Sequence, residues 1–353
     1  MPSLRAHVFR VPADGPDDVA GVEALFASGL QANNIVAVLG KTEGNGCVND
    51  FTRGYATRSF EALFSRYGVD GVSIIMSGGT EGALSPHWTV FARETVETPG
   101  ERALAIGVSR TPALPPEHLG RREQILLVAE GVKSAMRDAR IDGPADAHFV
   151  QIKCPLLTSR RIAEAEAEAA GRTVATHDTL KSMGLSRGAS ALGVAVALGE
   201  IDATSINDAD ICTRFDLFSR CASTSSGVEL TDHEIIVLGM SAKWSGPLSI
   251  DHAVMRDAID AHSVRKARER LPENSRLAAV LAKAEPDPSG RIGGRRHTML
   301  DDSDIAGTRH ARAFVGGVLA GIFGITDLYV SGGAEHQGPS GGGPVAIIVE
   351  KEQ

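Results

Sequence analysis

The sequence predicts an α/β protein: three pseudo-threefold-related repeat units around a sheet-lined, barrel-like core, with helices outside. Two observations carry that expectation. A Ser-Gly motif recurs as Ser77-Gly78-Gly79-Thr80-Glu81, Ser225-Ser226-Gly227-Val228-Glu229 and Ser331-Gly332-Gly333-Ala334-Glu335. Each copy is preceded, in the same order, by an apolar run ending in Lys41, Lys153 or Lys283 and by a hydroxyl–Arg pair, Thr52-Arg53, Ser186-Arg187 or Thr308-Arg309. A chain that repeats itself in this way builds one body, and often one site, from equivalent pieces.

Each unit reads as β-α-β-α-β-β, with boundaries that give units 1–100, 101–246 and 247–353. Opening strands are expected at His7–Phe9, Leu104–Val108 and Leu248–Ile250. Helices follow over Asp18–Ser28, Glu117–Arg140 and Asp257–Arg270, the first two after Pro-bearing turns. The Lys-bearing strand comes next, then a helix starting near Arg53, Arg187 or Arg309. The Ser-bearing strand and a last strand (Thr89–Phe91, Ile235–Leu238, Val345–Val349) close each unit. The middle unit carries an insertion whose Glu/Ala alternation over Glu164–Ala170 reads as an exposed helix.

Composition narrows the function classes. The 353 residues can bury a large core, and 42% hydrophobic content is ordinary for a globular chain. A net charge of -8 without a Lys/Arg block argues against a nucleic-acid surface. The longest uncharged apolar run, Phe314 to Thr326, is too short to span a bilayer. With no secretory signal and four cysteines in no metal-like spacing, the expected setting is cytoplasmic with reduced thiols.

Familiar cofactor motifs fail. Gly40-Lys41-Thr42 resembles the end of a phosphate-binding loop, but Ile35 stands where its first Gly is required. No GxGxxG follows a strand and no HExxH occurs, so no organic cofactor is expected. What remains is the recurrent Lys, Arg and Ser. An isolated Ser-Gly-Gly is usually a turn and an isolated Lys a solvated charge; the threefold recurrence favours a shared site. A Lys can activate a Ser only when its amine is neutral, and burial beside other cations favours that form. The same cations attract a carbonyl-rich ligand, and hydroxyls with adjacent N–H groups can hold carbonyl oxygens. Such a pocket suits a small, flat ring with several carbonyls and amide hydrolysis through an acyl-enzyme. Residues alone do not select one Lys–Ser pair of the three.

Longer motifs carry a resemblance. Gly40–Asp50, Met76–Gly82, Val150–Thr158, Arg296–Leu300 and Ser331–Pro339 resemble the cyanuric acid amidohydrolase/barbiturase family over essentially the whole chain, and most of all its cyanuric acid hydrolase branch. The resemblance implies ring opening of cyanuric acid to carboxybiuret, which yields biuret and carbon dioxide. It implies Lys153 as general base and Ser225 as nucleophile, Ser226 being the competing hydroxyl. Arg53, Arg187 and Arg309 would bind substrate with Ser77, Gly78, Ser225, Ser226, Ser331 and Gly332, while Lys41 and Lys283 would polarise the other carbonyls. It further implies a structural Mg2+ or Ca2+ on Glu285 and the backbone of Ala334, Gln337, Gly338, Pro339 and Gly342, oxygen donors that suit a hard cation. A homotetramer is also implied.

Two alternatives stand beside this reading. One is a barbiturase, which opens a related ring; the other is a non-catalytic receptor for cyclic imides using the same clamps. Cys154 is a rival nucleophile, but strand alternation turns it away from whatever Lys153 faces. Histidines His87, His297, His310 and His336 are scattered without a carboxylate at triad spacing.

Overall fold

The computed structural model describes residues 2–168 and 173–352. The first sheet comprises β1 (Ser3–Pro12), β2 (Ile35–Thr42), β3 (Ser73–Gly78) and β4 (His87–Val96), with α1 (Ala20–Ala27) and α2 (Phe51–Arg66) in its connections. The second comprises β5 (Ala103–Arg110), β6 (Ala147–Pro155), β7 (Ala222–Gly227) and β8 (Glu234–Ser241), with α3 (Arg122–Asp138), α4 (Ser159–Glu168) and α5 (Thr179–Ala197). The remainder comprises β9 (Leu248–Met255), α6 (Ala261–Glu269), β10 (Ser275–Ala284), a small hairpin of β11 (Arg291–Ile292) and β12 (Arg295–Arg296), α7 (Gly307–Phe323), β13 (Tyr329–Gly332) and β14 (Gly343–Lys351).

All three main sheets share one strand order: opening strand, last strand, Lys strand, Ser strand. These are β1-β4-β2-β3, β5-β8-β6-β7 and β9-β14-β10-β13. Lys and Ser strands run parallel, whereas the other pairs are antiparallel. A parallel pair needs a crossover, and α2, α5 and α7 supply it. The helix starts follow from capping: the Asp50 side chain accepts from Thr52 N–H, Asp178 from Lys181 N–H and Asp260 from Ser263 N–H.

Alternation along the strands sorts the core into layers. On β2, Ala37 and Leu39 join a central cluster that also contains Phe149, Leu281 and Ile348 from the other sheets. Val38 instead packs outward with Phe60 and Trp88. On β10, Ala279 and Leu281 face the centre, while Val280 and Ala282 pack outward with Val315 and Leu319. Sheets therefore lie inside and helices outside.

The expected barrel does not close. The opening and Ser strands end each sheet, so among the described residues the sheets remain open and separate. Their Ser strands meet through lysine side chains, described below, instead of through ladder hydrogen bonds. Helix boundaries also differ from expectation. α5 starts eight residues before Arg187, at its Asp178 cap, and α3 starts only after the Pro115-Pro116 turn. α4 is largely exposed, as expected, with Glu164, Glu166 and Ala167 facing solvent; Ile162 and Ala165 form one buried stripe that packs with Leu114 and Leu157, and Ala169 and Ala170 lie outside the described residues. Among the described residues no helix is long and apolar enough to cross a membrane.

Candidate active site

The three lysines and three serines occupy matching positions. In the parallel ladders Lys41 is level with Ser77, Lys153 with Ser225 and Lys283 with Ser331. Lys41 and Lys283 have the parity of the centre-facing Leu39 and Leu281; Ser77 and Ser331 have that of Ile75 and Tyr329. All six side chains are buried.

Their hydrogen bonds form a ring. Lys41 Nζ donates to Val330 O (2.5 Å), Lys153 Nζ to Met76 O (3.0 Å) and Lys283 Nζ to Thr224 O (2.9 Å). Each acceptor immediately precedes the Ser of a different sheet. The first sheet thus reaches the third, the third the second, and the second the first. This brings the three Lys–Ser pairs, far apart in the chain, around one centre.

The pairs are not identical. Lys283 Nζ donates to its own Ser331 Oγ at 3.1 Å and to Gly332 O at 2.9 Å. Lys153 Nζ instead pairs with Glu229 Oε1 at 2.8 Å, and the buried Ser225 Oγ has no hydrogen-bond partner. Burial lowers the pKa of every one of these lysines. For Lys41, Arg312 and Lys283 add to the effect, holding it well below its ordinary value. For Lys153, Glu229 opposes burial and Arg53 assists it, and the net shift is downward. Burial and Arg187 bring Lys283 down to about 7.

The arginines frame this centre. Arg53 is buried and donates to Ser226 O (3.0 Å) and Cys47 O (2.5 Å). Arg187 pairs with Glu335 (2.6 and 2.8 Å) and reaches Ser226 Oγ at 3.4 Å. Arg309, on the first turn of α7, bonds Glu81 at 2.9 Å with its side chain 41% exposed. One turn on, Arg312 is buried against the same Glu81 and donates to Asn45 O. Arg187, Arg309, Arg312, Gly332 and Gly333 line a common cavity of about 430 Å3. Close packing of guanidinium on backbone explains two glycines. Gly79 (φ 100°) and Gly333 (φ 75°) adopt left-handed backbone, and a Cβ there would collide with Arg312 and Arg187 respectively.

Two features escaped the sequence reading. The glutamate four residues after each Ser pairs with a cation of another helix or strand: Glu81 with Arg312, Glu335 with Arg187, Glu229 with Lys153. These glutamates stand in the repeated motif, so the signal was visible without an assigned role. Arg312 was hidden because the Thr308-Arg309 pair matched the hydroxyl–Arg pattern first. Cys154 is fully buried, and burial raises its thiol pKa.

The proposed cation ligands gather partially. Glu285, Ala334, Gly338 and Pro339 line a hollow of about 280 Å3 beside Glu335. Glu285 accepts from the Thr308 hydroxyl (2.8 Å) and Gly333 N–H (2.7 Å). Burial and the neighbouring Glu335 raise its pKa, a repulsion that a divalent cation would relieve. The Gln337 side chain is occupied by Thr224 N–H and Gly333 O, which leaves its backbone for an ion. This donor set fits a hard cation.

A sequence model for amidohydrolase ring-opening proteins matches residues 7–350. A cyanuric acid amidohydrolase of Rhizobium johnstonii is 98% identical over 353 residues, covering all of both chains. One from a Bradyrhizobium species is 59% identical over 367 residues, covering 98% of each. The solved cyanuric acid hydrolase of A. caulinodans superposes with a TM-score of 0.93 at 56% identity, covering 99% of this chain and 100% of that one. A second solved cyanuric acid hydrolase gives a TM-score of 0.94 at 48% identity, with the same coverage.

Proposed function

The chain belongs to the cyanuric acid amidohydrolase family of ring-opening amidohydrolases, and from that premise we propose that it opens cyanuric acid by Ser-Lys nucleophilic catalysis. The observation that carries this reading is the ring of three buried Lys–Ser pairs, each lysine bonded to the carbonyl before another pair's serine. A ligand with three carbonyls alternating with three N–H groups matches three equivalent clamps. On this reading the three sheets are repeat units about a pseudo-threefold axis.

In the reaction, Ser225 Oγ attacks one ring carbonyl carbon while its proton passes to the neutral amine of Lys153. The C–N bond breaks and the proton leaves with the ring nitrogen, giving an acyl-enzyme. Water then hydrolyses the ester to carboxybiuret, which loses carbon dioxide to leave biuret. Ser225 Oγ, buried without a partner, is free for this role. Glu229 holds Lys153 in place. Arg53 and Arg187 bind substrate oxygens with Ser77, Gly78, Ser226, Ser331 and Gly332. Arg312, more deeply buried than Arg309, supplies the third clamp, with Arg309 at the rim. A Mg2+ or Ca2+ on Glu285 and the neighbouring backbone carbonyls would brace the loop behind Ser331.

A second reading places the nucleophile in the third pair, because Lys283 alone of the three lysines bonds its own serine hydroxyl and has its pKa brought to about 7. Turnover of cyanuric acid and barbituric acid by the purified protein tests the activity. Biuret formation from cyanuric acid supports it; hydrolysis of barbituric acid alone overturns it.

A further inference from the structure

At the seam between the second and third sheets, His148 on β6 meets Asp251 and His252 on β9. His148 is five residues from Lys153 along one strand, about 16 Å at the usual rise, so this cluster is remote from the lysine ring. The two Nδ1 atoms are 3.0 Å apart, and Asp251 Oδ1 is 3.6 Å from His148 Nδ1. All three donor atoms lie within 4.8 Å of one another. The His148 and Asp251 side chains are 14% and 15% exposed, so an ion can reach them.

Cys221 stands behind His252: its thiol donates to Ala147 O at 3.5 Å, and its sulfur lies 3.6 Å from His252 Nε2. With the thiol proton on Ala147 O, that contact suits a proton on His252 Nε2 and an Nδ1 lone pair facing His148. Arg270 clamps Asp251 through Nε (2.6 Å) and Nη2 (3.1 Å), and His252 N–H donates to Oδ1 at 2.6 Å, so the carboxylate is fixed and ionised.

We propose that His148 Nδ1, His252 Nδ1 and Asp251 Oδ1 form a binding site for a borderline divalent cation of the zinc type. Nitrogens bound at about 2.0–2.1 Å to one such ion lie roughly 3.0–3.4 Å apart, which matches the spacing seen. Without an ion, the His148 Nδ1 proton is shared with His252 Nδ1. On binding it moves to His148 Nε2, so both lone pairs face the metal and no net proton is released. Solvent completes the coordination. Two imidazoles select Zn2+, Co2+ or Cu2+ over Mg2+ or Ca2+, which separates this site from the Glu285 hollow. A bound ion ties β6 to β9 and so joins two sheets.

Chelator-treated full-length protein titrated with Cu2+ and read by electron paramagnetic resonance tests this. The expected result is one tight equivalent with hyperfine structure from two imidazole nitrogens, unaffected by excess Mg2+. Zn2+ should raise Tm, and His148→Asn or His252→Asn should weaken Zn2+ binding at least roughly tenfold. Oxygen-only coordination of Cu2+, or histidine variants that bind Zn2+ as tightly as the parent, would overturn the proposal. If a variant fails to fold, the Cu2+ spectrum of the unaltered chain decides alone.

Discussion

Lys153 Nζ lies 3.0 Å from the carbonyl oxygen of Met76, the residue before Ser77 on another sheet. Lys41 and Lys283 make the same bond to Val330 and Thr224. Each lysine therefore joins two sheets while standing level with its own serine. The bonds made by each lysine, level with its serine, also link the Ser strands of the three sheets.

The nucleophile assignment predicts unequal serines. Ser225→Ala should lower kcat by roughly 10³-fold or more while cyanuric acid still binds. Ser331→Ala and Ser77→Ala, which remove carbonyl clamps, should cost less in kcat and more in KM. Steady-state kinetics with calorimetric binding separates these outcomes. A larger kcat loss in Ser331→Ala would move the chemistry to the third pair.

For the base, Lys153→Arg is the sharper substitution. Guanidinium keeps its proton and cannot accept the serine's. An activity loss of about 10²–10⁴-fold is expected, and substantial residual turnover would count against Lys153.

Arg312 and Arg309 should separate in stability. Arg312 and Glu81 are both 5% exposed, whereas Arg309 is 41% exposed on the same carboxylate. Arg312→Ala leaves Glu81 buried with one partner gone and should cost about 3–5 kcal/mol. Arg309→Ala should cost under about 1 kcal/mol. Urea denaturation measures both, and KM for cyanuric acid should rise more in Arg312→Lys than in Arg309→Lys.

Buried lysines set the sign of the pH dependence. Lys283 titrates at about 7 in the folded protein against an ordinary 10.5. Between those values the unfolded chain binds the extra proton, so this group makes stability rise with pH across the window and contributes its least below pH 7. Lys41 and Lys153 are shifted in the same direction. Tm should therefore rise from pH 7 towards 9 more steeply in the parent than in Lys283→Met. The kcat/KM should also rise with pH, inflecting below 10.5 as Lys153 loses its proton.

Much of the site was legible because Lys, Arg and Ser recur in one order, and strand period alone puts Lys41, Leu39 and Ala37 on one face. Strand existence was equally legible, since apolar runs such as Val345–Val349 have no other use. Less visible was what depends on distance in space. Arg309 and Arg312 sit one helical turn apart, and only packing reveals which is buried. The glutamates at 81, 229 and 335 have partners far along the chain, Arg312 on α7, Lys153 on β6 and Arg187 on α5, which no local pattern names. The sheets stay open among the described residues, and lysine side chains link their Ser strands, a long-range contact that strand patterns do not name.

A crystal structure with a cyanuric acid analogue bound tests the central claim most directly. The account predicts the ring at the meeting point of Ser77, Ser225 and Ser331, each hydroxyl beside a carbonyl, with Ser225 Oγ nearest a ring carbonyl carbon. A ring seated elsewhere, beyond the reach of those three hydroxyls, would contradict it.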